Sequence, residues 1–131
     1  MIRDIEIPPI KNVTVAIIRE DGGEDWKVML INANDYELSN TLVASKGYGV
    51  KDGVEQKTST LRHFLENVPP HSVAPVETIK PDVFHLNNEY WVSYYAQGKI
   101  FDKRFVFVPD SICEENLTFI KELDMEGILH S

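Results

Sequence analysis

Glu89-Tyr-Trp-Val-Ser-Tyr-Tyr-Ala-Gln-Gly-Lys-Ile-Phe-Asp-Lys-Arg-Phe-Val-Phe-Val108 is the stretch on which the fold turns. Two runs rich in aromatic and β-branched residues flank Gln97-Gly98, the signature of a β-hairpin with a two-residue loop. That loop fixes the register: Tyr94 opposes Phe101, Val92 opposes Lys103 and Tyr90 opposes Phe105. One face then gathers Tyr90, Val92, Tyr94, Phe101, Phe105 and Phe107 toward a core. The other pairs Trp91 with Arg104 and Ser93 with Asp102, contacts suited to a solvated side. The hairpin is the largest apolar feature of the chain and carries no recognisable chemistry.

Working outward toward the N-terminus, the segment before Asn12 alternates weakly and holds Pro8-Pro9, which reads as an extended or edge lead-in. Val13–Arg19 is a strong strand pattern, Asp21-Gly22-Gly23 a turn, and Trp26–Asn32 a second strand. Its Val28–Ile31 run is apolar on both faces, as a central strand requires. Asn32-Ala-Asn-Asp35 is turn chemistry, because these side chains bond nearby backbone. Residues 36–40 bridge to a strand over 41–46. Gly47-Tyr-Gly-Val-Lys-Asp-Gly-Val-Glu-Gln56 reads as a mobile glycine-rich loop. Gly47, Tyr48, Gly49 and Lys51 are its candidate interaction residues, with Tyr48 as an aromatic anchor.

Thr58–Val68 fits two periods. Leu61, Phe64, Leu65 and Val68 have helical spacing, whereas a strand needs Leu61, His63 and Leu65 on one face. The β character of the flanking segments favours the strand. Val73–Ile79 is a strand weakened by Pro75, 81–86 a short strand or connection, and Asn87-Asn88 a turn. After Pro109, Ser111-Ile-Cys-Glu114 matches a capping box, which predicts a short helix over 112–120. Glu126–Leu129 closes the chain as an extended segment. Six to eight strands at this spacing predict a single domain over 1–131. Its expected fold is mainly β, an immunoglobulin-like antiparallel β-sandwich with a short C-terminal helix; a small β-barrel is the alternative.

With 131 residues, 43% apolar and 26% charged, the chain is long enough for a core of its own. The single Cys113 excludes an internal disulfide and fits a reducing compartment. The opening residues lack a signal-length apolar run and no segment has transmembrane length, so a cytoplasmic location is expected. The Asn12 and Asn116 sequons then read as chance matches. A formal net charge of −8 argues against nucleic acid and anionic lipid. The charge is uneven, however. Lys46, Lys51, Lys57 and Arg62 cluster mid-chain, and Asp110, Glu114, Glu115, Glu122, Asp124 and Glu126 crowd the end.

Catalytic and cofactor motifs are missing. His63, His71, His85 and His130 lack metal-ligand spacing. Gln56 precedes Lys57-Thr58 where a P-loop needs glycine, and Gly47-x-Gly49 lacks the rest of a dinucleotide fingerprint. Cys113 near a helix start is the one thiol to weigh as a nucleophile, and Asp102 the one carboxylate within a strong strand. Neither has a partner visible in sequence, so no cofactor, metal or catalytic residue is assigned.

At Ser45-Lys-Gly-Tyr-Gly49, Thr58-Ser-Thr-Leu-Arg-His63 and Asp102-Lys-Arg-Phe-Val-Phe107 the chain resembles a family of short bacterial proteins of unassigned function. Some of them carry the label of a phenylalanyl-tRNA synthetase subunit. The chain is too short for a synthetase core and has no ATP-binding motif, so the resemblance implies a small bacterial cytoplasmic protein and lends no functional residue. The expectation from the whole sequence is a non-enzymatic protein that acts by contact with another protein or a second copy of itself. The alternatives are a ligand-binding or enzymatic domain whose site forms only in three dimensions, and an accessory module beside a synthetase.

Overall fold

The computed structural model describes residues 10–19 and 25–130. The Pro8-Pro9 lead-in and the Asp21-Gly22-Gly23 turn lie outside them. Ten strands follow in order: β1 Val13–Arg19, β2 Trp26–Asn32, β3 Leu38–Lys51, β4 Val54–Lys57, β5 Leu61–Val68, β6 Ser72–Ile79, β7 Asn87–Ala96, β8 Lys99–Phe107, β9 Thr118–Ile120 and β10 Met125–His130. Two short 3₁₀ turns, Pro81–Val83 and Glu114–Asn116, complete the list. The strands form two antiparallel sheets. The first runs β6-β2-β1-β10-β9; the second runs β4-β3-β7-β8, with β5 also paired to β3. One core lies between them, drawing Val15, Ile17, Val28 and Leu30 from the first sheet and Val43, Tyr90, Val92 and Phe105 from the second.

The β7–β8 hairpin has the expected register, with Tyr94 opposite Phe101, Val92 opposite Lys103, Tyr90 opposite Phe105 and Trp91 opposite Arg104. Gln97 and Gly98 both have positive φ, 53° and 73°, the primed turn that matches strand twist. Tyr90, Val92, Tyr94, Phe101, Phe105 and Phe107 are all buried. The doubly apolar β2 is central, between β1 and β6. The ambiguous segment is a strand: β5 pairs with β3, Phe64 opposite Leu42 and Arg62 opposite Ala44. It starts at Leu61, leaving residues 58–60 outside it.

Three expectations are corrected and one alternative is resolved. The helix over 112–120 does not form. Ser111 Oγ donates to the Val108 carbonyl at 2.7 Å instead of capping, only a 3₁₀ turn over Glu114–Asn116 remains, and Thr118–Ile120 pairs with β10. An isolated nine-residue helix is marginal in water, so the waiting strand partner wins. Asn87 and Asn88 begin β7 rather than turn into it. Residues 81–86, expected as a short strand or a connection, are a connection with a 3₁₀ turn. The segment over 47–56 is mostly paired backbone: β3 continues to Lys51, turns at Asp52-Gly53 and returns as β4. Gly47 serves clearance rather than backbone freedom. A Cβ at Gly47 would meet Thr58 Cγ2 at 3.2 Å and Leu86 Cδ1 at 3.3 Å.

Pro75 has a consequence beyond its missing donor. It lies on β6, an edge strand that pairs only with β2, where proline is tolerated. The register slips there: Met29 faces Pro75 but Val28 faces Glu77, so Val76 is an extra, bulged residue. A bulge re-aims the side chains that follow it. Glu77, opposite the core residue Val28, is thereby turned toward the space between the sheets.

Gly127 on β10 marks a second close approach. A Cβ there would stand 2.8 Å from Ile120 Cδ1, 2.9 Å from Ile18 Cγ2 and 3.0 Å from the Ile17 carbonyl oxygen. The carbonyl belongs to the paired strand β1 and cannot rotate away. Gly127→Ala is therefore expected to destabilise by about 1–3 kcal/mol, the usual range for overpacking. Urea unfolding checks it, and an unchanged midpoint contradicts it.

Candidate functional site

The outward face of the second sheet is built by the register of four strands. One row across it reads Arg62–Ala44–Trp91–Arg104, the next Phe64–Leu42–Ser93–Asp102. Beyond the second row Tyr95 sits opposite Ile100; beyond the first, Lys46 opposes Glu89 and Tyr48 lies between Asn87 and Lys57. Phe64 is 60% exposed, Ile100 57%, Tyr95 48% and Trp91 43%. Leu42 and Ala44, half-buried, fill the space between them. Apolar and aromatic side chains thus share one sheet face, with Ser93 and Asp102 between them, the kind of grouping that marks an interaction surface.

Glu89 organises its charged end. The residue is 3% exposed, and a carboxylate so buried needs partners. Tyr48 OH donates to Oε1 at 3.2 Å, Arg104 Nε lies 3.4 Å from Oε1 and Lys46 Nζ 3.6 Å from Oε2. Burial first, and then the Glu89 charge and this hydrogen bond, push the Tyr48 phenol above its ordinary pKa. The Arg104 guanidinium also lies 5.0 Å from the Trp91 ring centroid, a cation–π contact. Arg62 makes no ion pair among the described residues, so its charge is available on this face.

Of the residues expected in an interaction loop, the structure brings only Tyr48 onto this face. Its ring lies over the sheet with Lys46 Nζ 5.7 Å from its centroid. Gly47 and Gly49 pack under Leu86, and Lys51 lies at the exposed end of β3 beside the Asp52-Gly53 turn. The sequence had placed Trp91 and Arg104 on the solvated face, but Phe64, Tyr95 and Ile100 were missed as a group. Their shared face could be found only from the pairing of β5 with β3, which is not local in sequence.

A second feature sits at the open edge between the sheets. A cleft of about 280 Å³ is lined by Ser45, Thr58, Ser59, Glu77, Lys80 and Tyr90, among others. Glu77, turned inward by the bulge, accepts from Ser45 Oγ at 2.7 Å and from Tyr90 OH at 3.2 Å. His63 Nε2 stands 2.6 Å from the same carboxylate oxygen that Ser45 uses. Ser45, Tyr90 and His63 thus converge on the Glu77 carboxylate. The Cys113 thiol, after the backbone amide of Glu115 itself, helps hold the Glu115 carboxyl below the ordinary range. Among the described residues no group of three His, Cys, Asp or Glu side chains could hold a metal ion, and no helix is long and apolar enough to cross a membrane.

The buried tyrosines predict an alkaline limit. Burial, followed by the charge of Glu77, raises the Tyr90 phenol well above its usual value. Burial, followed by Tyr36, raises Tyr94 to about 12. A group whose folded-state pKa is raised adds stability below its unfolded pKa and loses it as pH climbs. Stability is therefore expected to fall above roughly pH 10, where the unfolded chain releases phenolic protons that the native state retains. Tyr94 OH also has no hydrogen-bond partner among the described residues. Tyr94→Phe removes an unsatisfied buried group, so it is expected to leave neutral-pH stability unchanged or raise it by up to about 1 kcal/mol, and to flatten the alkaline fall. Denaturant unfolding at neutral and alkaline pH checks both; a clear loss at neutral pH contradicts the first.

No protein-family model matches the chain, and no solved structure matches it. A glycogen synthase from Paracoccus denitrificans (strain Pd 1222) is 27% identical over 120 residues. That alignment covers 87% of this chain and 25% of the other protein, so the chain spans a quarter of the length of the curated relative it matches.

Proposed function

We propose that this is a non-enzymatic β-sandwich module, immunoglobulin-like in kind, that works in a bacterial cytoplasm by binding another protein through the outward face of its second sheet. The observation that carries this reading is the grouping of Phe64, Trp91, Tyr95 and Ile100, each more than two-fifths exposed, on one sheet face. Aromatic and arginine side chains supply most hot spots at protein interfaces, and Arg62 and Arg104 border this patch. The lone Cys113 suits a reducing cytoplasm, and the likeness to short bacterial proteins fits such a setting.

The test compares wild type with the double variant Phe64→Ser, Tyr95→Ser. Both side chains are exposed, so the thermal midpoint should hold within a few degrees. Wild type should capture a specific protein, or self-associate in sedimentation velocity, and the variant should lose that behaviour. Undiminished capture by the variant refutes the face as the interface, as does a wild type that captures nothing and sediments as a monomer.

The Glu77 cleft supports a second reading as a small-ligand site. Its rim offers the hydroxyls of Thr58, Ser59 and Thr78 beside the half-buried Glu77 carboxylate, a lining suited to a polyhydroxylated molecule. Similarity to a protein named glycogen synthase makes glycogen-derived oligosaccharides the ligand to test. Isothermal titration with maltooligosaccharides should show saturable heat that Glu77→Gln reduces; no heat at millimolar ligand discards this reading.

A further inference from the structure

We infer that the partner surface met by the second sheet is an acidic segment of a protein, an inference that rests on the interface reading above. The chain has a formal net charge of −8, yet the rows from Tyr48 to Leu42 carry four cations, Lys46, Lys57, Arg62 and Arg104, against two carboxylates, Glu89 and Asp102. These rows therefore carry a local positive surplus within an anionic chain, on a face that also exposes Phe64, Trp91, Tyr95 and Ile100. Glu89 is already engaged by Lys46, Arg104 and Tyr48, which leaves Arg62 and Lys57 without ion pairs among the described residues. Uncompensated cations at the rim of an apolar patch favour carboxylates from a partner and speed their encounter.

The make-up of the patch selects protein over nucleic acid. Leu42 and Ile100 lie among the aromatics, and aliphatic side chains offer no stacking surface to bases. Two unpaired cations are few for a phosphate backbone, where affinity grows with each phosphate neutralised. The rest of the molecule is strongly anionic and repels a long polyanion, whereas a short acidic segment with apolar side chains between its carboxylates meets only the favourable face. Its carboxylates would reach Arg62 and Lys57 while its apolar groups cover Phe64, Leu42 and Trp91.

The experiment titrates the intact protein, followed by tryptophan fluorescence and amide chemical shifts, with three probes. They are a short peptide alternating Glu with Phe and Leu, the same peptide with Lys in place of Glu, and oligodeoxythymidine. The acidic peptide should bind, shift amides of β5, β7 and β8, and weaken as salt is raised. Arg62→Glu, a surface change expected to leave the thermal midpoint intact, should weaken it about tenfold, mainly by slowing association. Lys57→Glu should act in the same direction. Equal binding of the Lys peptide, preference for oligodeoxythymidine, no binding of the acidic peptide, or indifference to both charge reversals overturns the inference. The interface reading is judged separately: a protein partner still lost on Phe64→Ser, Tyr95→Ser but untouched by Arg62→Glu leaves the face in place and removes only its acidic ligand.

Discussion

Phe105→Ala is expected to lower stability by about 3–5 kcal/mol, the usual loss for a fully buried phenylalanine. Phe105 is inaccessible to solvent. It lies opposite Tyr90 across the hairpin, and its ring centroid is 5.4 Å from that of His130 on β10, in the other sheet. The Lys103 ammonium lies 4.8 Å from the ring as well. Truncation therefore removes contacts within the second sheet and across to the first, and neighbours anchored in strands can relax only partly into the void. Denaturant unfolding reads the loss. A change below about 1 kcal/mol contradicts the packing described. Phe105→Leu, which keeps most of the volume, should cost markedly less.

Asn32→Ala should cost about 3–4 kcal/mol, although it removes few atoms. Asn32 is 1% exposed. Its Nδ2 lies within hydrogen-bond range of the carbonyls of Tyr36 at 3.0 Å, Val68 at 3.3 Å and Pro69 at 2.9 Å. Its Oδ1 accepts from Asn34 N at 3.0 Å and from Asn34 Nδ2 at 3.1 Å. One side chain thus ties the end of β2 to the entry of β3 and the exit of β5. Alanine leaves several of these groups unpaired, each buried one costing about 1–3 kcal/mol. Asn32→Asp is a sharper probe, since it turns a carboxylate oxygen toward carbonyls. Protonation relieves that repulsion, so the deficit of the Asp variant against wild type should shrink as pH falls. An Asp variant with wild-type stability at neutral pH would contradict the network.

The sequence alone determined the β7–β8 hairpin in full: Gln97-Gly98 fixes the turn, the turn fixes the register, and a period of two fixes which face is apolar. It also determined β2 as a central strand and the turn at Asn32, where Asn34 N–H meets Asn32 Oδ1 two residues away. Each of these rests on contacts between near neighbours, so composition and spacing carry the information.

Features that depend on a partner distant in sequence are set by packing. Ser111-Ile-Cys-Glu114 has the residues of a capping box, but β10 offers Thr118–Ile120 a ladder that a short helix cannot match. Gly47 and Gly49 look like loop residues until Leu86 is packed against them. Glu77 would alternate outward but for the bulge at Val76, which turns it toward His63 and Ser45. The face that joins Phe64, Trp91, Tyr95 and Ile100 exists because β5 pairs with the far edge of β3. A chain's local pattern says which side of a strand is apolar, whereas strand order, set by the burial of both sheets against one core, says which strands share that side.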